Sequence, residues 1–363
     1  MAGYHVVQPE ALERFAAEIF TRLGAPDDAA REVAAHLVRA NLAGHDSHGA
    51  IRIPQYALQI SQGAIQPAAR PEVISRKGAA LLIDGGGGFG HFATAFALHQ
   101  AIDVARELGT AVAAIRRANH IGRVGDYAET AARQGFIALL TVGAAGPGVG
   151  GATPFGGAQR FLGTNPWSIG IPTTDPQPFL VDFATTVVAE GKVRVARDKH
   201  ETLPPGCIVD KDGNPSTNPP DFYAGGMLLP FGAHKGYGLA MASALLGGLA
   251  AIGDPTPNLA GSPLAPGSSQ DGERTGGALL VVIDPGAFGD RDAYAAGVGR
   301  VSSAARRVPA APRSRGVMVP GEPEARTTAE RRQSGVSLPD DTWDAIAKLA
   351  GEHGVTLPDH RTA

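Results

Sequence analysis

Apolar residues recur at helical spacing through "EALERFAAEIFTRLG" and again through "DDAAREVAAHLVRANLAG", with Gly24 and Gly44 as stop signals, so residues 9–43 read as helices. A further helix is expected from about Pro54 to Gln62, closed by Gly63. From residue 71 the pattern changes. Short apolar runs ("AALLI", "AVAAI", "FIALLTV", "FLVDFA", "ALLVVI") alternate with Gly- and Pro-rich turns and read as strands. "HFATAFALHQAIDVARELG" and "GRVGDYAETAARQG" are the clearest helices among them, and the mixture predicts an α/β or α+β domain. "GYGLAMASALLGGLAAIG" (236–253) is too short for a membrane span and reads as a buried helix. Residues 253–277 form a long polar loop, and "ARRVPAAPRSRG" (305–316) is a second break before a closing helix near "DDTWDAIAKLAGEHG".

A chain of 363 residues, 43% apolar and 18% charged, is long enough for two domains. Its formal charge of −3 gives no electrostatic reason to expect nucleic acid or an anionic membrane as partner. The single cysteine, Cys207, rules out an intrachain disulfide and a Cys-rich zinc site, and fits a reducing compartment. Charge runs through what would be the apolar core of a signal peptide, so a cytoplasmic protein is expected.

Gly85, Gly87 and Gly90 satisfy G-x-G-x-x-G between a strand and a helix, with Arg116 and Arg117 placed for a phosphate after the next strand. With 49 glycines in the chain, however, that pattern arises by chance about once, and Gly146, Gly148 and Gly151 match it again with no helix following. A tight turn between strand and helix is the better reading of residues 85–90.

"NLAGHDSHGAIRIPQY" sets His45, Asp46, Ser47 and His48 in a row, with Arg52 and Tyr56 following at intervals of four. His45, Asp46 and His48 are a candidate metal set, but H-E-x-x-H logic needs a spacing of four on a regular helix, and no Cys cluster completes the shell. The acid-base reading is stronger. An imidazole, a guanidinium and a phenol near one face suit a small carboxylate, which Arg52 would clamp while His48 moves a proton. The bland alternative is N-capping by Asp46 or Ser47. His120 sits at a strand's end in "NHIGRVGDY"; Asp182, inside the apolar "FLVDFATT", must meet a cation, a His or a ligand hydroxyl. Lys235 at the entry of a small-residue helix suits a phosphate or ribose, or is an ordinary exposed lysine. Cys207 reads as inert.

Taken together, "ANLAGHDSHG", "ANHIGRVGDYAE", "PFGG", "FLGTNPWSIGIPT", "LVDFATTVVAEGKVRVARDK", "LPPGCIVDKDGNPSTNP", "LLPFGAHKGYGLA" and "VMVPGEPE" resemble the malate/L-lactate dehydrogenase-like family of NAD(P)-dependent oxidoreductases, which is distinct from the Rossmann lactate and malate dehydrogenases. They run in family order from about residue 8 to 350, and "NLAGHDSHG" and "PPGCIVD" look closest to the hydroxycarboxylate dehydrogenase B branch. The resemblance implies an α+β fold. A non-Rossmann nicotinamide-binding domain with a mostly antiparallel sheet (76–315) would pair with a mainly helical domain built from both termini (1–75 plus 316–363). It also implies a homodimer with its active site near the subunit interface. By motif, His48 and His120 are the two catalytic candidates, and Arg52 and Tyr56 match substrate-side positions. Asp182, Phe183 and Ala184 match a cofactor-contacting strand; Lys235, Gly321 with Glu322, and Ala144 match further cofactor contacts. The glycine-rich approach to "PFGG", Ala118 and Ala144 where Ser is common, and the 253–277 loop depart from the family pattern.

The expected reaction is hydride transfer between NAD or NADP and C2 of a 2-oxo or 2-hydroxy acid. Arg52 would hold the carboxylate, one of His48 and His120 would donate the proton, and Asp182 would fix an imidazole or the nicotinamide side. The alternatives are reduction of a cyclic imine carboxylate, a metal-dependent hydrolase built on His45, Asp46 and His48, and a silent binding protein.

Overall fold

The computed structural model describes residues 3–198, 200–252, 275–314 and 316–362. Strand β1 (Tyr4–Val7) leads into helices α1 (Pro9–Arg22) and α2 (Asp27–Leu42), two 3-10 turns (Asp46–His48 and Ala50–Arg52) and helix α3 (Ile53–Ser61). Strands β2 (Glu72–Lys77) and β3 (Ala80–Asp84), helix α4 (Gly90–Leu108), strand β4 (Thr110–Arg116) and helix α5 (Val124–Arg133) follow. Next come β5 (Ile137–Ala145), β6 (Trp167–Ile171), β7 (Phe179–Phe183) and α6 (Glu190–Asp198). The short β8 (Ile208–Val209), β9 (Pro215–Ser216), α7 (Pro219–Tyr223) and β10 (Met227–Leu228) precede α8 (His234–Gly247) and β11 (Thr275–Ile283). The chain closes with α9 (Arg291–Arg306), α10 (Glu322–Ser334), β12 (Val336–Pro339), α11 (Asp340–His353) and β13 (His360–Thr362).

A seven-stranded mixed sheet, in the order β2-β3-β4-β11-β5-β6-β7, carries the middle of the chain. Only β3 and β4 pair in parallel, joined through α4; the other neighbours are antiparallel. The apolar run "ALLVVI" is explained by β11 lying at the centre, hydrogen-bonded on both edges. Thr275–Gly277, expected in a loop, already belong to this strand; residues 253–274 lie outside the described ones.

Helix α8 is built of small residues because it lies very close to the sheet. A Cβ on Gly247 would stand 2.3 Å from the Gly277 carbonyl oxygen, and one on Gly143 would stand 2.4 Å from Ser243 Oγ. The expectation of a buried helix holds for that face alone. Leu239 and Leu245 on α8, and Leu249 and Ile252 beyond it, are exposed, since a helix against one side of a sheet buries one stripe.

The termini meet. β1 is the middle strand of an antiparallel sheet between β12 and β13, a strand set that the periodicity did not predict. Leu12, Phe20, Leu37, Ile53, Val336, Trp343 and Ile346 share one apolar core, and the sheet with α4 and α5 forms another. The loop at 85–90 is a packing turn: a Cβ on Gly90 would lie 2.0 Å from the Asn119 carbonyl oxygen. Asn119 Nδ2 in turn donates to the carbonyls of Gly87 at 2.8 Å and Gly88 at 2.9 Å. The glycines bring the end of β3 against the loop that carries His120.

Candidate active site

Asn41, fully buried at the end of α2, organises the two turns after it. Its Oδ1 accepts from the Ala50 N–H at 2.8 Å and its Nδ2 donates to Asp46 at 2.6 Å. Gly49 is required there, because its Cβ would lie 2.2 Å from Asn41 Oδ1. Arg331 of α10 donates to both Asp46 oxygens, at 2.6 and 3.0 Å. Asp46 is therefore a strut and not a cap, and neither turn has a side-chain cap.

The turn delivers His48 onto His120, with ring centroids 5.2 Å apart and planes 12° from parallel. Tyr56, buried on α3, places its hydroxyl 2.6 Å from His120 Nδ1. Arg52 is fixed beside them, its Nε donating to the Ser47 carbonyl at 2.6 Å and its Nη1 to Gln55. The four residues expected to work together are thus one constellation. His45 turns away to Glu324, 3.6 Å distant, so His45, Asp46 and His48 have three separate sets of partners and form no ligand set. Among the described residues no group of three or more His, Cys, Asp or Glu side chains is placed to hold a metal.

Behind this pair lies a polar layer that the sequence reading did not single out. His91 of α4 is 1% exposed, and its Nε2 is 3.4 Å from the Tyr56 hydroxyl. The His36 ring stands edge-to-face on His91 at 4.7 Å. His36 Nε2 accepts from the Arg123 N–H at 2.9 Å, and its Nδ1 is 3.1 Å from Asp126, which Arg39 grips through two nitrogens at 2.8 Å. Gly122 leaves room for both rings: its Cβ would come within 2.3 Å of His36 Nε2 and 2.7 Å of His91 Nε2. One signal was available, a histidine inside the apolar stripe of a helix (His36 between Ala34 and Leu37).

Burial, reinforced by the neighbouring imidazoles and by Arg52 for His48 and His120, sets the protonation of three of these rings. His48 is brought down to about 3, and His120 and His91 are held well below the ordinary histidine value. Burial also pushes the Tyr56 phenol up. Burial alone would raise Asp126, but His36 and Arg39 overcome it and hold the carboxyl well below the usual range. His48, His91 and His120 are therefore neutral at neutral pH and Asp126 is ionised.

The cluster touches the sheet through Arg123, which is 2% exposed. Its Nε donates to Asp182 Oδ2 at 3.1 Å, and the Gly125 N–H adds a bond at 3.2 Å. The cation expected for Asp182 is thus Arg123. Beyond Asp182, Phe183 packs edge-to-face on Phe231 at 5.5 Å, and Ala184 continues the chain, half-buried. Ala144, next to last in β5, lies at the same end of the sheet, where Asn165 bonds both its N–H and its carbonyl and reaches Ala240 of α8. Lys235 enters α8 exposed, with no carboxylate partner among the described residues. A nicotinamide dinucleotide needs a cation for phosphate and a flat apolar surface for its ring; Lys235 is a cation four residues beyond Phe231, and Phe231 packs on Phe183, so the residues present fit such a group. Gly321 and Glu322 are not brought there. They pack against Pro178 and Leu180 at the opposite end of β7, where Glu322 binds Arg306 and accepts from the Val319 N–H at 2.8 Å. Cys207 is buried, which raises its thiol pKa, in keeping with an inert residue.

Hydroxycarboxylate dehydrogenase B of Escherichia coli is 35% identical over 359 residues, 98% of this chain and 96% of that one. The solved sulfolactate dehydrogenase of Methanocaldococcus jannaschii superposes with a TM-score of 0.85 at 30% identity, over 97% of this chain and 98% of that one. The delta1-piperideine-2-carboxylate reductase of Pseudomonas syringae pvar. tomato does so at 0.79 and 30% identity, over 95% and 99%. Residues 7–347 match the family model described as malate/L-lactate dehydrogenase, and the chain, an oxidoreductase, belongs to that family.

Proposed function

We propose that the protein interconverts a 2-oxo acid and its 2-hydroxy acid with NAD or NADP. The observation that carries this reading is the stacked His48–His120 pair, with Tyr56 hydrogen-bonded behind it and Arg52 in the adjoining turn. When bound, the nicotinamide supplies or takes the hydride. Arg52, oriented by Ser47 and Gln55, holds the carboxylate. His120, whose Nδ1 is engaged by Tyr56, donates the proton to the carbonyl oxygen, and His48 packs against it and orients the substrate. Asp182 holds Arg123 and, through it, the loop of His120 against the end of the sheet where Ala144, Phe183, Ala184 and Lys235 receive the cofactor. Gly321 and Glu322 serve it only from the far end of β7 or from a second subunit.

We assign the helical domain to 1–75 plus 316–363 and the nicotinamide-binding domain to 76–315; of the three apolar cores among the described residues, one is drawn from the former span save for Phe89 and two lie within the latter. A homodimer would cover the apolar groove of about 630 Å³ lined by Ile171, Phe179, Tyr294, Val298, Val301 and Met318. The place of action would be the cytoplasm; no helix among the described residues is long and apolar enough to cross a membrane.

The test is oxidation of NADH or NADPH with a panel of 2-oxo acids. Cyclic imine carboxylates belong in the same panel, because one solved relative carries that activity in its name. Turnover of imines alone would replace the first reading with the second. Tight cofactor binding with no turnover of either class would leave a silent binding protein.

A further inference from the structure

We propose that Tyr56 and His91 form a proton relay that keeps His120 neutral as it gives up its Nε2 proton, a role resting on the oxo-acid reading above. Tyr56 Oη stands between two ring nitrogens, 2.6 Å from His120 Nδ1 and 3.4 Å from His91 Nε2. The short contact suits a phenol O–H donating to a bare ring nitrogen, and the long one suits a weak N–H donating to the phenol oxygen. That assignment leaves the His120 proton on Nε2, available to a substrate, and the His91 proton on Nε2. His91 Nδ1 is then a bare acceptor, and it is buried without a hydrogen-bond partner. A buried polar atom left open is uncommon enough to need a reason, and proton entry from a water molecule supplies one.

The relay conserves charge. As His120 Nε2–H passes its proton to the carbonyl oxygen, the Tyr56 proton moves to His120 Nδ1. The His91 Nε2 proton moves to Tyr56, and one proton from bulk solvent, passed on by water, enters at His91 Nδ1 and makes good the proton that reduction consumes. Both rings end neutral with their tautomers exchanged, and Tyr56 now donates to His91. In that state His120 Nε2 is bare and ready to accept the proton of a hydroxy acid, so the two tautomeric states serve the two directions of reaction. A neutral relay also answers a difficulty of the site, since burial disfavours any imidazolium there. The charged and titratable groups facing His91 are His36 and Arg39 from α2, His48 from the turn, Tyr56 from α3, His120 from its loop and Asp126 from α5.

The test has two arms. In protein labelled with ¹⁵N-histidine, NMR should find free His120 protonated at Nε2 and bare at Nδ1, and Tyr56→Phe should shift that ring toward a mixture of tautomers. His120 protonated at Nδ1 in the free protein, or unchanged in Tyr56→Phe, overturns the proposal. This arm needs no turnover and stands even if the substrate reading fails. In the kinetic arm, His91→Phe should lower kcat for reduction about tenfold or more and raise the solvent isotope effect, with KM within about twofold. His91→Gln keeps an N–H for Tyr56 but cannot pass a proton through a ring, so it should show the same loss. Recovery of wild-type kcat in His91→Gln overturns the relay and leaves His91 as packing.

Discussion

Asp182 Oδ2 accepts a 3.1 Å hydrogen bond from Arg123 Nε, and both side chains are almost wholly withdrawn from water. Removing one partner strands the other as an uncompensated buried charge. Asp182→Ala should therefore lower unfolding stability by about 3–5 kcal/mol, read from denaturant midpoints. Glu129, 3.6 Å from Arg123, offers only a distant substitute. Replacing both, as Asp182→Leu with Arg123→Met, should recover most of the loss. A double variant no more stable than Asp182→Ala would show that the pair does more than neutralise charge.

His48 and His120 separate in single-turnover reduction. Loss of a proton donor lowers the chemical step by about 10²- to 10⁴-fold, whereas loss of an orienting neighbour lowers it less. His120→Ala should fall in that range and His48→Ala short of it, because only His120 has its second nitrogen held by Tyr56. The reverse ranking would make His48 the donor.

What could be read in advance followed from local chemistry. Helical stripes gave α1, α2 and α3, and the i, i+4 spacing gave His48, Arg52 and Tyr56, although the chain there is two tight turns followed by a helix. Strand β1 was missed because four residues joined to partners more than 300 positions away carry no local period. His36 and His91 escaped for a related reason. Each looks like an ordinary helical residue until folding places both rings on Gly122. The family resemblance, not the spacing, pointed to His120 as an equal of His48.

Gly90→Ala tests the reading of the glycine loop as a packing device. A methyl there would stand 2.0 Å from the Asn119 carbonyl oxygen, one residue from His120. Overpacking of this kind lowers stability by about 1–3 kcal/mol. Activity should fall with it while cofactor affinity, measured by fluorescence titration, stays near wild type. A selective loss of cofactor binding would restore the phosphate-cradle reading.

Arg52→Lys keeps the charge but removes the planar fork. The Arg52 guanidinium already spends Nε on Ser47 and Nη1 on Gln55, so its orientation toward a carboxylate is set by the protein. A lysine has no such fixed presentation. KM for the oxo acid should rise about 10- to 100-fold, equivalent to about 1.4–2.8 kcal/mol of lost binding, with a smaller change in kcat. An unchanged KM in steady-state assays would remove Arg52 from the substrate.

Acid should weaken the fold in a window set by the imidazoles. An unfolded histidine titrates near about 6.5, whereas His48 in the fold is brought down to about 3 and His91 and His120 lie well below the ordinary value. Between those values the unfolded chain binds protons that the native chain does not, so stability is full above about pH 6.5 and falls as the pH drops. Each imidazole contributes at most about 1.4 kcal/mol per pH unit. His91, the most buried of the three, should come nearest that limit, and His48 and His120, which keep some contact with solvent, should contribute less. Asp126, depressed by His36 and Arg39, acts in the same direction but only below the ordinary carboxylate range. Urea unfolding between pH 7 and 5 therefore isolates the histidines. The midpoint should fall steadily through that range, and His91→Gln should make the slope shallower. A stability that is level from pH 7 to 5 would mean that these rings are not held neutral.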